Sequence, residues 1–214
     1  MRRGEGQSHP CRPHRGRPRP GRQGKVEIVA ICGSARSAGN TATLVDAALE
    51  RAREMGAKTT RFDPARMRIL DCDACRSCLE SAEARCKLDD DMQQVYDALS
   101  RAEAWLLATP VYFYHVTAPL KRVIDRLYAL FTEEGGWHCG LEGTRKAAVI
   151  VVQADAESET PQRVADYLAI VARDLKAEVV DRIAEGGLGG PDDASRRPDL
   201  LDRARQLGER LAAN

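Results

Sequence analysis

Four cysteines lie close together in one polar stretch of the chain. Three cysteines in tandem at C-x2-C-x2-C spacing, with a fourth further along, can surround one face of an iron-sulfur cubane. Structural zinc more often uses two separated C-x2-C pairs. The spacing therefore favours a [4Fe–4S] cluster, with zinc or unliganded thiols as the alternatives. The candidate ligands, spaced C-x2-C-x2-C-x7-C, are Cys72, Cys75, Cys78 and Cys86.

The other three cysteines show no ligand spacing. Cys11 lies near the N-terminus, Cys32 ends an apolar run and Cys139 is isolated. We interpret them as structural or incidental thiols. His115 and His138 have no partner that the sequence reveals, so we assign no catalytic acid or base.

A polar loop over 33–41 follows the first apolar run and reads Gly-Ser-Ala-Arg-Ser-Ala-Gly-Asn-Thr. If a helix begins at Asn40, free backbone N–H groups and the positive end of the helix dipole meet there and favour an anion. The loop lacks the lysine of a triphosphate loop and the glycine spacing of a dinucleotide fingerprint. A phosphomonoester fits best, and an ordinary capped turn is the alternative. The candidate residues are Ser34, Arg36, Ser37, Gly39, Asn40 and Thr41.

A second loop carries three aromatic side chains beside a proline. Aromatic and proline faces cover planar apolar ligands, while loop backbone groups bind their heteroatoms. Aromatics that belong to the core beneath the loop are the alternative. The candidate residues are Thr109, Pro110, Val111, Tyr112 and Phe113, followed by Tyr114.

Both loops follow apolar runs in a chain where strand-like and helix-like segments alternate. This alternation predicts parallel strands with right-handed crossovers, and hence a three-layer α/β/α sandwich whose ligands lie beyond the C-terminal ends of the strands. Lys121 and Asp125, four residues apart, are expected to pair on a helix surface. The predicted strands are 26–32, 59–62, 104–108, 147–152 and 178–183, and the predicted helices are 40–55, 91–102, 118–131, 161–175 and 199–211.

Composition and charge divide the chain into two parts. Its 214 residues fit one sizeable domain, and 33 basic against 32 acidic residues give a net charge of +1. The segment 1–24 holds seven arginines and one acidic residue with few large apolar side chains, so we expect a disordered basic tail before a single domain over 25–214. A solvated extension is the favoured interpretation of the tail, and a nucleic-acid or lipid arm is the alternative.

The sequence also limits location and partners. No stretch approaches the roughly 18 consecutive apolar residues of a membrane span, and no apolar segment of an export signal follows Arg2 and Arg3. We expect a cytoplasmic protein with no membrane partner. An aromatic share of 5% offers no stacking stripe, so no nucleic-acid partner is expected.

Four segments of the chain resemble the NAD(P)H-dependent FMN reductase branch of the flavodoxin-like proteins and occur in the same order as in that branch. The cysteine spacing resembles that of the iron-sulfur flavoproteins, a subgroup of the branch. The resemblance implies a five-stranded parallel sheet in the order 2-1-3-4-5, with FMN as cofactor and NAD(P)H as an electron donor. It implies that the first loop holds the FMN phosphate, the second lies along the isoalloxazine, and 153–157 closes on the ring, here without the expected glycines. The segments are 33–41, 89–92, 109–113 and 121–126.

Three hypotheses follow from these observations. The first is a flavin oxidoreductase that couples FMN to a [4Fe–4S] cluster and serves a redox partner or small-molecule acceptor. The second is a cluster-free NAD(P)H-dependent FMN or quinone reductase. The third is a non-enzymatic, zinc-stabilised module that binds nucleic acid. The resemblance further implies a homodimer or homotetramer.

Overall fold

Five parallel strands form the central sheet. The computed structural model describes residues 25–80, 85–132 and 137–213, so the predicted tail over 1–24 lies outside the described residues. The sheet order is β2-β1-β3-β6-β7, which confirms the predicted 2-1-3-4-5 order of the five sheet strands. The sheet strands are β1 (Glu27–Cys32), β2 (Lys58–Phe62), β3 (Ala104–Pro110), β6 (Arg145–Val152) and β7 (Ala177–Glu185), and a separate antiparallel pair comprises β4 (Phe131–Thr132) and β5 (His138–Cys139).

Helices cover both faces of the sheet and complete the predicted sandwich. One hydrophobic core lies beneath α1 and α6, and the other lies beneath α3, α4 and α5. None of the helices in the described ranges is both long and apolar enough to cross a bilayer. The helices are α1 (Asn40–Glu54), α2 (Ser77–Glu80), α3 (Met92–Arg101), α4 (Ala118–Arg126), α5 (Thr160–Asp174) and α6 (Pro198–Ala212).

The strand β1 explains why the sheet has two cores. Val29 and Ile31 point into the core beneath α3 to α5, while Ile28 and Ala30 point into the core beneath α1 and α6. Successive strand side chains alternate between faces, so a strand covered on both sides must be apolar at every position. The continuous apolar run seen in the sequence is therefore the signature of this central strand.

One predicted helix is too long. The pattern over 118–131 predicts a single helix, but α4 ends at Arg126 and a 3-10 turn occupies Leu127–Leu130. Phe131 then pairs with Cys139 across the β4–β5 hairpin. Strand pairing with Cys139, which lies outside the helical pattern, overrides that local pattern here.

The contact between α1 and α6 depends on a glycine. A Cβ atom built on Gly208 would lie 2.1 Å from the backbone oxygen of Ala48. The two helices therefore approach at backbone distance, and only a residue without a side chain fits between them.

We predict that Gly208→Ala lowers the free energy of unfolding by about 1–3 kcal/mol, because the added methyl group forces α6 away from α1. This loss opposes the gain in helix propensity that alanine normally brings. Urea unfolding followed by circular dichroism measures the difference, with exposed Gln206→Ala on the same helix as the control. Unchanged or increased stability of Gly208→Ala would contradict the close contact.

Candidate flavin and cysteine sites

The loop after β1 is held in shape by its own backbone and by Ser34. The Ser34 hydroxyl donates to the Arg36 carbonyl at 3.0 Å and accepts from the Arg36 N–H at 3.1 Å. The N–H of Gly33 donates to the carbonyl of Ala108 at 2.7 Å, which ties the loop to β3. Ser34 therefore shapes the loop from a buried position.

The N-terminus of α1 has no side-chain cap. Gly39 is the N-cap residue, and the first turn contains no acidic residue. A Cβ atom at Gly39 would lie 2.9 Å from the Cβ of Arg36, so the arginine side chain crosses directly over the helix start. Arg36 is exposed and joins none of the ion pairs found between described residues. Uncapped N–H groups beside an arginine are an arrangement that favours anions, which makes this helix start the candidate phosphate site, with exposed Ser37 and buried Thr41 on either side.

The Asn40 side chain is engaged by the protein itself. Its amide nitrogen donates to the carbonyls of Leu188 at 3.2 Å and Gly190 at 2.7 Å, and its oxygen accepts from the N–H of Ala194 at 2.9 Å. These bonds hold the glycine-rich loop after β7 against the start of α1. The side chain of Asn40 is therefore already used by the protein. Its backbone N–H is the group that remains for a ligand at the start of α1.

The second loop presents its aromatic residues to solvent. Phe113 is 95% exposed and Tyr114 is 74% exposed, so neither belongs to the core beneath the loop. Tyr112 and His115 exchange backbone hydrogen bonds of 2.9 and 3.1 Å around them. Phe113 and Tyr114 have positive φ angles of 47° and 68°. This conformation is strained for large side chains and is often found at functional sites.

Thr117 joins the two loops, and the sequence analysis missed it. Its hydroxyl donates to the carbonyl of Gly33 at 2.7 Å, and its N–H donates to the hydroxyl of Thr109 at 3.3 Å. Thr109 is buried and also donates to the carbonyl of Pro110, while Val111 donates its N–H to Val152 of β6. The signal in the sequence was a threonine that caps a helix with proline in its first turn.

The third loop, 153–157, packs tightly on the loop after β7. A Cβ atom at Gly186 would lie 2.4 Å from the carbonyl oxygen of Asp155. The glycine that permits this close approach lies in the neighbouring loop rather than in 153–157 itself. Within the described ranges, the Oε1 of Gln153 is buried without a hydrogen-bond partner, so it is available to a donor on a ligand.

The four clustered cysteines are free and share one loop between β2 and α3. Cys72 and Cys75 are exposed, whereas Cys78 and Cys86 are partly buried against the core. Burial raises the pKa of Cys78, and the nearby thiols of Cys86, Cys72 and Cys75 raise it further, which places all four within electrostatic range. Among the described residues, no three ligating side chains converge closely enough to hold a metal ion.

Lys87 brings a positive charge to the cysteine loop. The Nζ of Lys87 lies 3.4 Å from a carboxylate oxygen of Asp73. A hydrogen bond with Cys75 and then the charge of Asp73 raise the pKa of Lys87, which places the ammonium group beside that thiol. Ala74 and Arg76, on either side of Cys75, have positive φ of 54° and 61° and curl the loop around it.

Both ends of the cysteine loop are fixed by a buried ion pair that the sequence analysis missed. Arg126 donates to Asp90 at 2.8 and 3.2 Å, and the two side chains are 1% and 0% exposed. Arg126 also donates to the carbonyl of Leu70 at 2.9 Å, and Asp90 accepts from the N–H groups of Leu70 and Met92. Leu70 precedes Cys72 and Asp90 follows Cys86, so one pair closes the neck of the loop.

Sequence comparisons identify the family of this chain. A family model described as NADPH-dependent FMN reductase matches residues 26–186. The chain belongs to this family. Two similar proteins are named iron-sulfur flavoproteins: one of Archaeoglobus fulgidus is 29% identical over 87% of this chain and 79% of that protein, and one of Methanocaldococcus jannaschii is 28% identical over 87% and 96%.

A solved structure supports the same fold. The NAD(P)H:quinone oxidoreductase of Methanothermobacter marburgensis superimposes with a TM-score of 0.68 at 21% identity, over 87% of this chain and 99% of that one. Membership of the FMN reductase family makes this chain a flavin-dependent oxidoreductase. This family membership argues against the hypothesis of a non-enzymatic, zinc-stabilised module.

We predict that the pair of Asp90 and Arg126 stabilises the fold near neutral pH and that this contribution to the free energy of unfolding is lost at acidic pH. Burial alone would raise the pKa of Asp90, but hydrogen bonds from Arg126, Leu70 and Met92 outweigh burial and lower it from its ordinary value of 3.8. A lowered folded-state pKa stabilises the protein above the unfolded-state value, and this contribution is lost as pH falls below about 4.

Thermal unfolding of the wild type and Asp90→Asn between neutral pH and pH 3 measures this contribution. The wild-type advantage should be largest near neutral pH and shrink below about pH 4. Asp125→Asn, which removes an exposed carboxylate from the same region, serves as the control. An advantage that stays constant down to pH 3 would show that Asp90 is not the titrating group.

Proposed function

We propose that this flavin-dependent oxidoreductase couples FMN to a [4Fe–4S] cluster, takes electrons from NAD(P)H and delivers them to a redox partner or small-molecule acceptor. The observation that supports this proposal most is that α4 connects two features. One is the uncapped start of α1 beside Arg36, and the other is the loop with four thiols. When bound, FMN exchanges electron pairs with hydride donors, and a cluster exchanges single electrons.

The first loop supplies a phosphate site. Gly33 allows α4 to approach the loop, Gly39 leaves room for the Arg36 side chain at the helix start, and Ser34 fixes the loop's shape. Arg36 adds a positive charge that no described carboxylate neutralises. An FMN phosphate would receive N–H donors from the start of α1, together with the guanidinium group.

Three loops at the C-terminal ends of β3, β6 and β7 supply the ring site. Thr109 to Phe113 provide backbone groups and aromatic faces, and Gln153 provides a buried carbonyl oxygen without a partner. Flavin carries N–H donors and carbonyl acceptors at its ring edge, so these groups can orient it. Their position on rigid strand ends keeps the ring fixed during electron exchange.

The cysteine loop supplies thiolate ligands. Cys72, Cys75, Cys78 and Cys86 are free, lie in one loop and include two that pack against the core. Lys87 places a positive charge beside Cys75. The relatives named iron-sulfur flavoproteins support the same assignment.

A cluster-free NAD(P)H-dependent FMN or quinone reductase is the second candidate. One observation favours it: within the part of the chain that the structure describes, the thiols do not converge into a ready-made metal site. The flavin site is common to both candidates, so iron analysis separates them.

Replacing Arg36 or Ser34 with alanine should weaken FMN binding by about 1–3 kcal/mol each, because each change removes support for a charged phosphate. Quenching of flavin fluorescence on titration with apoprotein measures the dissociation constant. Exposed Arg66→Ala, outside the loop, is the control for loss of one positive charge. Equal affinities in all four proteins, or a wild type that binds no FMN, would contradict the phosphate site.

Protein prepared without oxygen should contain about four irons and four sulfides per chain. Changing Cys72, Cys75, Cys78 or Cys86 to alanine should abolish or degrade the cluster and leave FMN content largely unchanged, because the flavin loops lie elsewhere. Cys11→Ala and Cys139→Ala should keep their iron. Iron-free wild type with full flavin, after reconstitution, would establish the second candidate.

We propose further that the chain forms a homodimer or homotetramer through its aromatic turn. Tyr112, Phe113 and Tyr114 form an exposed apolar group of a kind that marks contact surfaces, and closed symmetric assemblies are common. Sedimentation velocity should show an oligomer for the wild type, and Phe113→Ser with Tyr114→Ser should shift it towards monomer. Trp137→Ser, at another exposed aromatic, should not. A monomeric wild type would refute the proposal.

A further inference from the structure

The helix α4 connects the two candidate sites at its opposite ends. At the N-terminal end, Thr117 binds the carbonyl of Gly33 in the phosphate loop and the hydroxyl of Thr109 in the ring loop. At the C-terminal end, Arg122 donates to the carbonyl of Ile69 at 3.0 Å and Arg126 binds the neck of the cysteine loop. Nine residues of helix therefore link the flavin loops and the cysteine loop without an intervening flexible segment.

The buried pair at the C-terminal end is more elaborate than stability alone requires. Asp90 is fully buried and accepts from both guanidinium nitrogens of Arg126 and from two backbone N–H groups. The Tyr96 hydroxyl donates to the Arg126 carbonyl at 2.7 Å and adds α3 to the same network. Buried ion pairs contribute little net stability against apolar replacements, but they fix geometry strongly.

The pair also lies within electrostatic reach of a candidate ligand. Burial lowers the pKa of Arg126, but Asp90, Tyr96 and Cys86 together raise it above its ordinary value. The two side chains of the pair are buried, so water screens their charges only weakly.

We propose that Asp90 and Arg126 are positioning residues for the cluster: they fix both ends of the cysteine loop on α4 and set the charge at the neck of that loop. The inference rests on the proposed function, since it concerns the same cysteine loop. A thiolate-bound cluster gains negative charge on reduction, so its reduction potential rises when nearby positive charge is left uncompensated. The pair thus controls both the assembly of the cluster and its potential.

Two variants separate the geometric role from the charge role. Arg126→Lys keeps the positive charge but loses the fork that reaches Asp90 and Leu70 together. We expect it to lose most of its iron and sulfide while retaining wild-type affinity for FMN. Asp90→Asn keeps a hydrogen-bonding side chain but leaves the guanidinium group uncompensated. We expect it to retain part of its cluster, with a more positive reduction potential.

Asp125→Asn is the matched control. It removes one carboxylate from the same helix, but Asp125 is exposed and pairs with Lys121 in solvent. Its iron content and cluster potential should equal those of the wild type. A potential shift of the same size in Asp125→Asn and Asp90→Asn would show that only net charge matters and would overturn the proposal.

Anaerobic iron and sulfide analysis, potentiometric titration followed by electron paramagnetic resonance, and FMN titration provide the readouts for all four proteins. Loss of FMN binding together with iron in both pair variants would show that the pair supports the whole domain, and would overturn a specific role at the loop. A wild type without a cluster would refute the proposed coupling itself. A wild type with a cluster, and pair variants equal to Asp125→Asn, would refute only this inference.

Discussion

The buried ion pair of Asp90 and Arg126 is the constraint around which one side of the molecule is organised. Removing two charges from water is expensive, so the pair is tolerated only where hydrogen bonds compensate both partners. Asp90 achieves this with donors from Arg126, Leu70 and Met92. Because these donors come from α4, the start of the cysteine loop and α3, the pair requires all three segments to meet. The loop is thereby anchored at its neck while its thiols stay accessible.

At the opposite end of α4, neutral groups rather than charged ones hold neighbouring segments together. Thr117 uses its hydroxyl and its N–H to hold Gly33 and Thr109, one residue from each flavin loop. A Cβ atom at Gly33 would lie 2.8 Å from the Cβ of Leu120, so the glycine allows the helix to approach the loop. The candidate flavin site therefore depends on a close contact between a strand end and a helix start, which a parallel sheet provides at its switch point.

The loops that surround the flavin site depend on each other. Asn40 holds the loop after β7, and Gly186 in that loop makes room for Asp155 in the loop after β6. The segment 153–157 contains no glycine, and Gly186 in the neighbouring loop permits the close contact instead. A close approach of two backbones needs a missing side chain on one side only, and either loop can provide it.

The sequence by itself determined the fold class and, through the family resemblance, the strand order, and it predicted the two loops that carry the candidate flavin residues. Buried parallel strands must be apolar at every position, and the run before Gly33 shows this directly. The spacing of Cys72, Cys75, Cys78 and Cys86 likewise indicates metal chemistry without any structure. Tertiary structure alone decided that Asp90 pairs with Arg126, that Asn40 serves a distant loop, and that the helix from Ala118 ends at Arg126. These features depend on contacts between residues far apart in the chain, and local patterns carry no information about such contacts.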